Sequence, residues 1–293
     1  MTFYEIEFPL AALNCDAVEA ALLDVGASSI TFVDGGDEAV LEPKPGEMRL
    51  WSDTRVRALF QESSDAALNL DRLATSLGAH VTHTARVRPV EDQVWERAWL
   101  AGWKSMRFGR RLWVCPFAAA ASAEADAIVV RLDPGLAFGT GTHPTTALCL
   151  QILDSLDVAG RTVIDYGCGS GILGIAALKL GAASVTAVDL DPQALLATRD
   201  NARRNGVSSQ MTVQGIENEL PVAYCVMANI LAGPLIELAP KLTASCMPGG
   251  HLLLSGLLKT QAYVVKAAYA AGFDMVQIVE RDEWCCIYAR RGP

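Results

Sequence analysis

No stretch of the sequence stays apolar for the roughly 18 residues that a helical membrane span needs. The opening residues carry Glu5 and Glu7 where a secretory leader would carry bases, so no leader is expected. The alanine-rich stretch Phe117 to Ala127 is interrupted by Glu124 and Asp126 and reads as a surface segment. CxxC pairs are absent, although there are 8 cysteines. The cysteines are scattered through apolar segments, which fits buried free thiols in a reducing compartment and argues against a zinc site. Histidine is scarce: of 4 residues only His80 and His83 are close, in an alternating segment with no third ligand near. They are expected to be ordinary strand residues. These absences point to a cytoplasmic protein with no metal site and no membrane attachment.

What is present in excess is acid, and it is unevenly placed. The net charge is −9 over 293 residues, a length that accommodates two domains. Residues 1–80 hold 14 Asp/Glu against 5 Lys/Arg, whereas residues 81–293 hold 19 of each. Such an acidic region repels nucleic-acid phosphates and attracts a basic partner, or serves solubility alone.

The first third of the chain has an alternating strand from Phe3 to Phe8, then Asn14 as cap of a helix to about Val25. Strands are expected at Ser29 to Val33 and Met48 to Ser52, a helix at Ser64 to Leu77, and a strand at His80 to Val87. Asp53 to Phe60 is the ambiguous piece, with helical spacing as its other interpretation. The order βαββαβ predicts a small ferredoxin-like α+β domain over 1–88. A connecting segment follows over 89–127, with a short helix from about Glu91. There Trp95, Trp99 and Trp103 recur every four residues as a packing stripe, and Arg107, Arg110 and Arg111 flank short strands.

From Ile128 onward strand-like and helical runs alternate, the signature of a doubly wound parallel sheet with helices on both faces. Its strands are expected near Thr162, Ser184, Met211, Ala223 and His251, with Pro234 to Thr243 as one of the helices. Two final strands, Asp274 to Val279 and Trp284 to Ala289, are separated by Glu280-Arg281-Asp282-Glu283. A link that short permits only a hairpin, so the last strand of a mostly parallel, seven-stranded sheet should be antiparallel.

Three motifs carry chemistry. In Thr162-Val163-Ile164-Asp165-Tyr166-Gly167-Cys168-Gly169-Ser170-Gly171 a buried strand enters a glycine turn and a helix leaves it. Glycines there let the backbone turn tightly and a ligand approach closely. Gly169 to Gly174 also matches the dinucleotide GxGxxG pattern, so nucleotide oxidoreductase and plain packing turn stay open. Asp165 separates the readings: a carboxylate there repels a pyrophosphate and suits a cationic amino-acid moiety. Asp189 ends the next strand, where a carboxylate accepts both ribose hydroxyls. In the second motif, Leu132 to Thr146, a glycine-rich loop precedes a helix with Thr142 as the expected N-cap and Pro144 in its first turn. His143 is a candidate proton acceptor or a structural loop residue. In the third, Val226-Met227-Ala228-Asn229-Ile230-Leu231, a strand ends in an asparagine at the edge where ligands sit. Its uncharged acceptor and donor suit an incoming neutral amine.

These segments closely resemble the bacterial methyltransferases of large-subunit ribosomal protein eleven. The likeness is carried by LDPGLAFGTGTHPTT, VIDYGCGSGILGIAALKLGA, VDLDPQA, ANILAGPL and EWCCIYARR, spread from about Glu91 to Arg291. It implies a class I, Rossmann-like methyltransferase domain over 128–293 and an N-terminal substrate-docking domain over 1–88. It also implies S-adenosylmethionine as cofactor and amino groups of a basic ribosomal protein, lysine side chains and the N-terminal α-amine, as acceptors. By position, cofactor contacts carry over to Thr146, Gly167, Asp189 and Asn229. Asp165, Gly169 and Gly171 join them from the glycine motif, and Asn229 is the candidate catalytic residue. The alanine-rich Phe117 to Asp126 departs from the family's pattern and leaves that segment's path open. A monomer without direct nucleic-acid contact is expected. The alternatives are methylation of another basic protein or of an amide or base amine, or a non-catalytic binding module. Against a planar acceptor, Asn229-Ile230-Leu231-Ala232 stands where such enzymes carry Asn-Pro-Pro-Tyr.

Overall fold

A computed structural model of the chain describes residues 3–36, 50–61, 65–90, 104–119, 126–133 and 141–293. It divides into two compact units, Met1–Arg97 and Ala98–Pro293. Among the described residues no helix is long and apolar enough to cross a membrane, and no cluster of His, Cys, Asp and Glu could hold a metal. All eight cysteines are free thiols.

The first unit contains β1 (Phe3–Pro9), α1 (Cys15–Asp24), β2 (Ser29–Asp34), β3 (Thr54–Gln61), α2 (Ala66–Leu77), α3 (His80–Thr84) and β4 (Arg86–Val90). The strands form one antiparallel sheet in the order β2-β3-β1-β4. Asn14 caps α1 by accepting from the Ala17 N–H at 3.1 Å. Tyr4, Ile6 and Phe8 point to one side and pack with Val18, Leu22 and Leu73 of the helices.

Two expectations fail in this unit. The strand predicted at Met48 to Ser52 lies instead at Thr54–Gln61, and residues 50–52 are not strand. The ambiguous segment is the strand because Thr54, Val56, Ala58 and Phe60 alternate inward, a period of two that a helix cannot bury. His80 and His83, expected in a strand, sit in the single-turn helix α3. Only Val81 of that turn is buried, and the Thr82 and Thr84 hydroxyls bond back to the carbonyls of Ala79 and His80. Polar alternation without a buried partner strand does not hold extended backbone.

The second unit holds two sheets. The smaller is β5 (Met106–Phe108), β6 (Leu112–Cys115) and β7 (Ile128–Arg131), in that order. The strand at Ile128 therefore pairs, in parallel, with the segment expected to connect the domains. The helix from Glu91 and the tryptophan stripe at 95, 99 and 103 fall outside the described residues, as do residues 120–125 of the alanine-rich stretch.

The larger sheet contains β8 (Thr162–Tyr166), β9 (Ser184–Asp189), β10 (Met211–Gly215), β11 (Ala223–Asn229), β12 (Cys246–Leu258), β13 (Phe273–Arg281) and β14 (Trp284–Arg291). Their order is β10-β9-β8-β11-β12-β14-β13, with β14 antiparallel to both neighbours and the first five strands parallel. Successive strand residues feed opposite cores. Val163, Val185, Ala187 and Met227 pack with helices α4 (Pro144–Ser155) and α5 (Ile172–Lys179). Ile164, Val188, Val226 and Ala228 pack with α7 (Ala232–Glu237), α8 (Ala239–Ser245) and α9 (Ala262–Tyr269). The remaining helix, α6 (Pro192–Arg204), follows β9 and carries Asp191 as its N-cap. The single helix expected over Pro234 to Thr243 is two, α7 and α8, meeting at Leu238. Pro240 stands in the first turn of α8, where its missing N–H costs nothing.

Candidate active site

The site is assembled on the C-terminal ends of β8, β9 and β11. The turn after β8 is anchored from three sides. The N–H groups of Gly167 and Cys168 both donate to the Val188 carbonyl, at 2.8 and 3.0 Å. The Gly169 N–H donates to Asp189 Oδ2 at 2.8 Å. From α6, the Thr198 hydroxyl donates to the Gly169 carbonyl at 2.9 Å, and Asn201 Nδ2 to the Ser170 carbonyl at 2.9 Å. Thr198 and Asn201 were not singled out in the sequence. Their three-residue spacing, which puts both on one helix face, is the signal that marks them.

Glycine is required at two points of this turn. Gly167 has φ +75°, and a Cβ there would collide with Cγ2 of Ile230. Gly171 has φ +78° at the N-cap of α5, and a Cβ would lie 2.9 Å from Thr198 Cγ2. Any side chain at either position separates the turn from its neighbours.

The two carboxylates have different surroundings. Asp165 is 1 % exposed and accepts from the Gly174 N–H in the first turn of α5 at 2.8 Å. Its Oδ1 is buried without a hydrogen-bond partner among the described residues. Burial pushes its carboxyl up, the Gly174 N–H pulls it down, and the charge of Asp189 pushes it up again, for a result of about 7. Asp189 is partly exposed and uses each oxygen once, for Gly169 and for the Asp191 N–H at 3.0 Å. A carboxylate has about four acceptor sites, so a diol can still be held there.

This arrangement decides between the two chemistries left open by the glycine pattern. A pyrophosphate needs free N–H groups on the turn and no opposing charge. Here Gly167, Cys168 and Gly169 have committed theirs to Val188 and Asp189, the Gly171 N–H goes to the Cys168 carbonyl at 2.7 Å, and two carboxylates flank the turn. The donor set fits a ligand with a ribose diol and a cationic end and no phosphate.

The third side is formed by Asn229 and Thr146. Asn229 Nδ2 donates to Thr146 Oγ1 at 3.2 Å, which joins the end of β11 to the first turn of α4. The N-cap of α4 is His143, one residue beyond the expected Thr142. Its Nδ1 meets the Thr145 hydroxyl at 2.7 Å, and its ring stands edge-on to Trp284 with centroids 4.7 Å apart. Burial holds the imidazole below its usual titration range. A neutral ring already spent on capping is a structural residue, and Trp284 is the contact that sequence alone did not reveal. Residues 134–140 of the loop before it lie outside the described residues.

A family model described as ribosomal protein L11 methyltransferase (PrmA) matches residues 2–292. A relative of that name from Sodalis glossinidius (strain morsitans) is 50% identical over 296 residues, covering 99% of this chain and 100% of its own. Another, from Vibrio cholerae serotype O1, is 49% identical over 295 residues, 99% of each chain. The chain belongs to the ribosomal protein L11 methyltransferase family. A solved ribosomal protein L11 methylase from Lactobacillus delbrueckii subsp. bulgaricus superposes with a TM-score of 0.59 at 32% identity, covering 65% of this chain and 100% of that one. The unit bearing the site is an α/β fold with a mixed seven-stranded sheet. Asp165, Asp189 and Asn229 stand on β8, β9 and β11, Gly167, Gly169 and Gly171 in the turn between β8 and α5, and Thr146 on α4.

Proposed function

We propose that the protein methylates amino groups of ribosomal protein L11, on lysine side chains and the N-terminal α-amine, with S-adenosylmethionine as donor. The observation that carries this is the glycine turn whose N–H groups are spent internally while Asp165 and Asp189 flank it. S-adenosylmethionine supplies a methyl group activated by a positive sulfonium. Asp189 would hold the ribose hydroxyls, the buried Asp165 would favour the cationic amino-acid end, and Thr146, Gly167, Gly169 and Gly171 would line the remainder.

Asn229 orients the acceptor. Its amide N–H is committed to Thr146, which leaves Oδ1 to accept from the incoming amine. An acceptor of this kind positions a nitrogen and removes no proton, so the amine must arrive neutral. The same residue followed by Ile230-Leu231-Ala232 offers no aromatic surface for a planar base or amide.

Residues 1–88 form the docking domain in this proposal, ferredoxin-like in its βαββαβ order, joined through 89–127 to the catalytic region 128–293. Among the described residues, Asp16, Glu19, Asp24, Asp65 and Asp71 are exposed on its helices or at their ends, with Arg72 as the opposing charge. That face fits a basic ribosomal protein. The enzyme is taken to work as a cytoplasmic monomer without direct nucleic-acid contact. Incubation of a ribosomal extract with methyl-labelled S-adenosylmethionine tests the assignment: label in L11 supports it, label in RNA supports a base methyltransferase, and no label supports a binding module.

A further inference from the structure

The Asn229–Thr146 bond is held from both ends by one irregularity in the larger sheet. β12 pairs in parallel with β11, Asn229 opposite Ser255, and antiparallel with β14 on its other side. Against β14, Leu254 faces Ile287 but Leu257 faces Cys285, so Ser255 and Gly256 together oppose Cys286. The inward phase slips by one residue across them: Leu252, Leu254 and then Leu257 face the same core. This is a β-bulge level with the end of β11, and Gly256 supplies its left-handed residue, with φ +84°.

Gly256 makes room for the chain leaving β11. A Cβ there would collide with the Ile230 carbonyl oxygen and lie 2.8 Å from the Ile230 nitrogen and carbonyl carbon. These are backbone atoms, which no change of rotamer moves aside. Ser255 is fully buried and bonds in two directions. Its carbonyl accepts from the Ile230 N–H at 3.1 Å, and its hydroxyl donates to the Cys285 carbonyl at 2.9 Å. The first bond leads to Asn229, the residue before Ile230. The second leads to Trp284, the residue before Cys285, and through its ring to His143, the cap of the helix that carries Thr146. Both partners of the Asn229–Thr146 bond thus trace back to the same two residues.

We infer that Ser255 and Gly256 are positioning residues for the transfer step: the bulge sets where Asn229 Oδ1 meets the acceptor amine and touches neither amine nor cofactor. The inference rests on the methyl-transfer reading above. A bulge interrupts the strand ladder, and glycine loses more chain freedom on folding than any other residue, so a regular strand here would be more stable. Irregularity of this kind is kept where a side chain has to be re-aimed. Transfer to nitrogen needs the amine aligned with the methyl carbon, and a misplacement of about 1 Å lowers such a rate about a hundredfold.

The test uses the full chain with Gly256→Ala, Ser255→Ala and Asn229→Ala, singly and combined, in steady-state kinetics on L11. Gly256→Ala should lower kcat by about tenfold or more, and Ser255→Ala, which loses one hydrogen bond, by about three- to tenfold. Affinity for S-adenosylhomocysteine should stay close to that of wild type, because Asp189, Thr198 and Asn201 hold the glycine turn independently, and it also reports folding. A residue that acts through Asn229 adds nothing once Asn229 is gone, so either change combined with Asn229→Ala should lower kcat no further than Asn229→Ala alone. If Gly256→Ala does not fold, Ser255→Ala carries the same cycle. Unchanged kcat in the folded single variants, or losses that multiply with that of Asn229→Ala, overturn the proposal. If wild type fails to methylate L11, the functional assignment falls. The bulge is then read from the Asn229 side-chain amide resonance in nitrogen-15 spectra of the full chain. That resonance should shift in Ser255→Ala as it does in Thr146→Val, and an unshifted resonance overturns the positioning role.

Discussion

Asn229 reaches across to Thr146, Nδ2 to Oγ1 at 3.2 Å, and so fixes which of its two polar atoms faces an acceptor. Replacing Asn229 by Ala removes the side-chain amide acceptor at the end of β11. Loss of a single orienting hydrogen bond should lower kcat/KM for L11 by about 10–100-fold. Thr146→Val keeps the volume and frees the Asn229 amide, so the loss should be smaller and fall mainly on kcat. Steady-state kinetics on both variants measure this. Unchanged kcat/KM in Asn229→Ala removes the residue from the site.

Asp189 holds the turn through Gly169 as well as offering oxygens to a diol. Asp189→Ala should weaken S-adenosylhomocysteine binding by about 1.5–3 kcal/mol, roughly ten- to a hundred-fold. Isothermal calorimetry reads the difference. NAD should give no measurable heat, because the N–H groups of Gly167, Cys168, Gly169 and Gly171 are already engaged.

Asp165 should give the site a pH dependence near neutrality. Its carboxyl titrates at about 7 against an ordinary value of 3.8, so the folded state holds the proton that the unfolded state has released. Stability therefore falls as pH rises from about 4 through 7, by roughly 4 kcal/mol. Asp165→Asn keeps an acceptor for Gly174 and should be more heat-stable than wild type at pH 8, with the gap closing toward pH 4. A ligand with a cationic end favours the ionised form, so affinity for S-adenosylhomocysteine should rise from pH 6 to 8 in wild type and stay flat in the variant. Thermal melts and calorimetry across that range check both halves.

Glu7 has the opposite sign. Burial pushes its carboxyl up, and Arg57, Arg88 and Arg55 outweigh that and hold it below the ordinary 4.5, so its contribution is present above that value and disappears as pH falls through the folded value. Glu7→Gln should destabilise the N-terminal unit by about 1–2 kcal/mol at pH 7, since the partner arginines are partly in water. The difference should shrink as pH falls below the ordinary carboxylate value of 4.5. Urea unfolding at neutral and at acid pH measures it.

Much of this architecture is legible in the sequence because buried parallel strands and glycine turns leave strong local marks. Val163-Ile164-Asp165 before Gly167 and Val188-Asp189 before the Asp191 cap are of that kind. The N-terminal unit was harder. Thr54–Gln61 carries Arg at alternate positions, which hid a strand behind helical spacing, and those arginines are satisfied by Glu7, 48 and 50 residues away. The charge count gave an acidic domain and could not show that Glu7 lies buried among Arg55, Arg57 and Arg88, because that depends on register. In the same way Thr198, Asn201 and Trp284 act through contacts that only the folded chain brings together.

The most direct test is mass spectrometry of purified L11 after reaction with the full chain and S-adenosylmethionine at pH 7, 8 and 9. A neutral-amine mechanism without a general base predicts added methyl groups on the α-amine and on lysines. At pH 7.5 only about 0.1% of a free lysine is neutral against roughly a third of an α-amine. From pH 7 to 9 initial rates should thus rise about a hundredfold on lysine and about tenfold or less on the α-amine, with chemistry kept rate-limiting. L11 that gains no mass contradicts the proposed function, and a flat lysine profile contradicts the role given to Asn229.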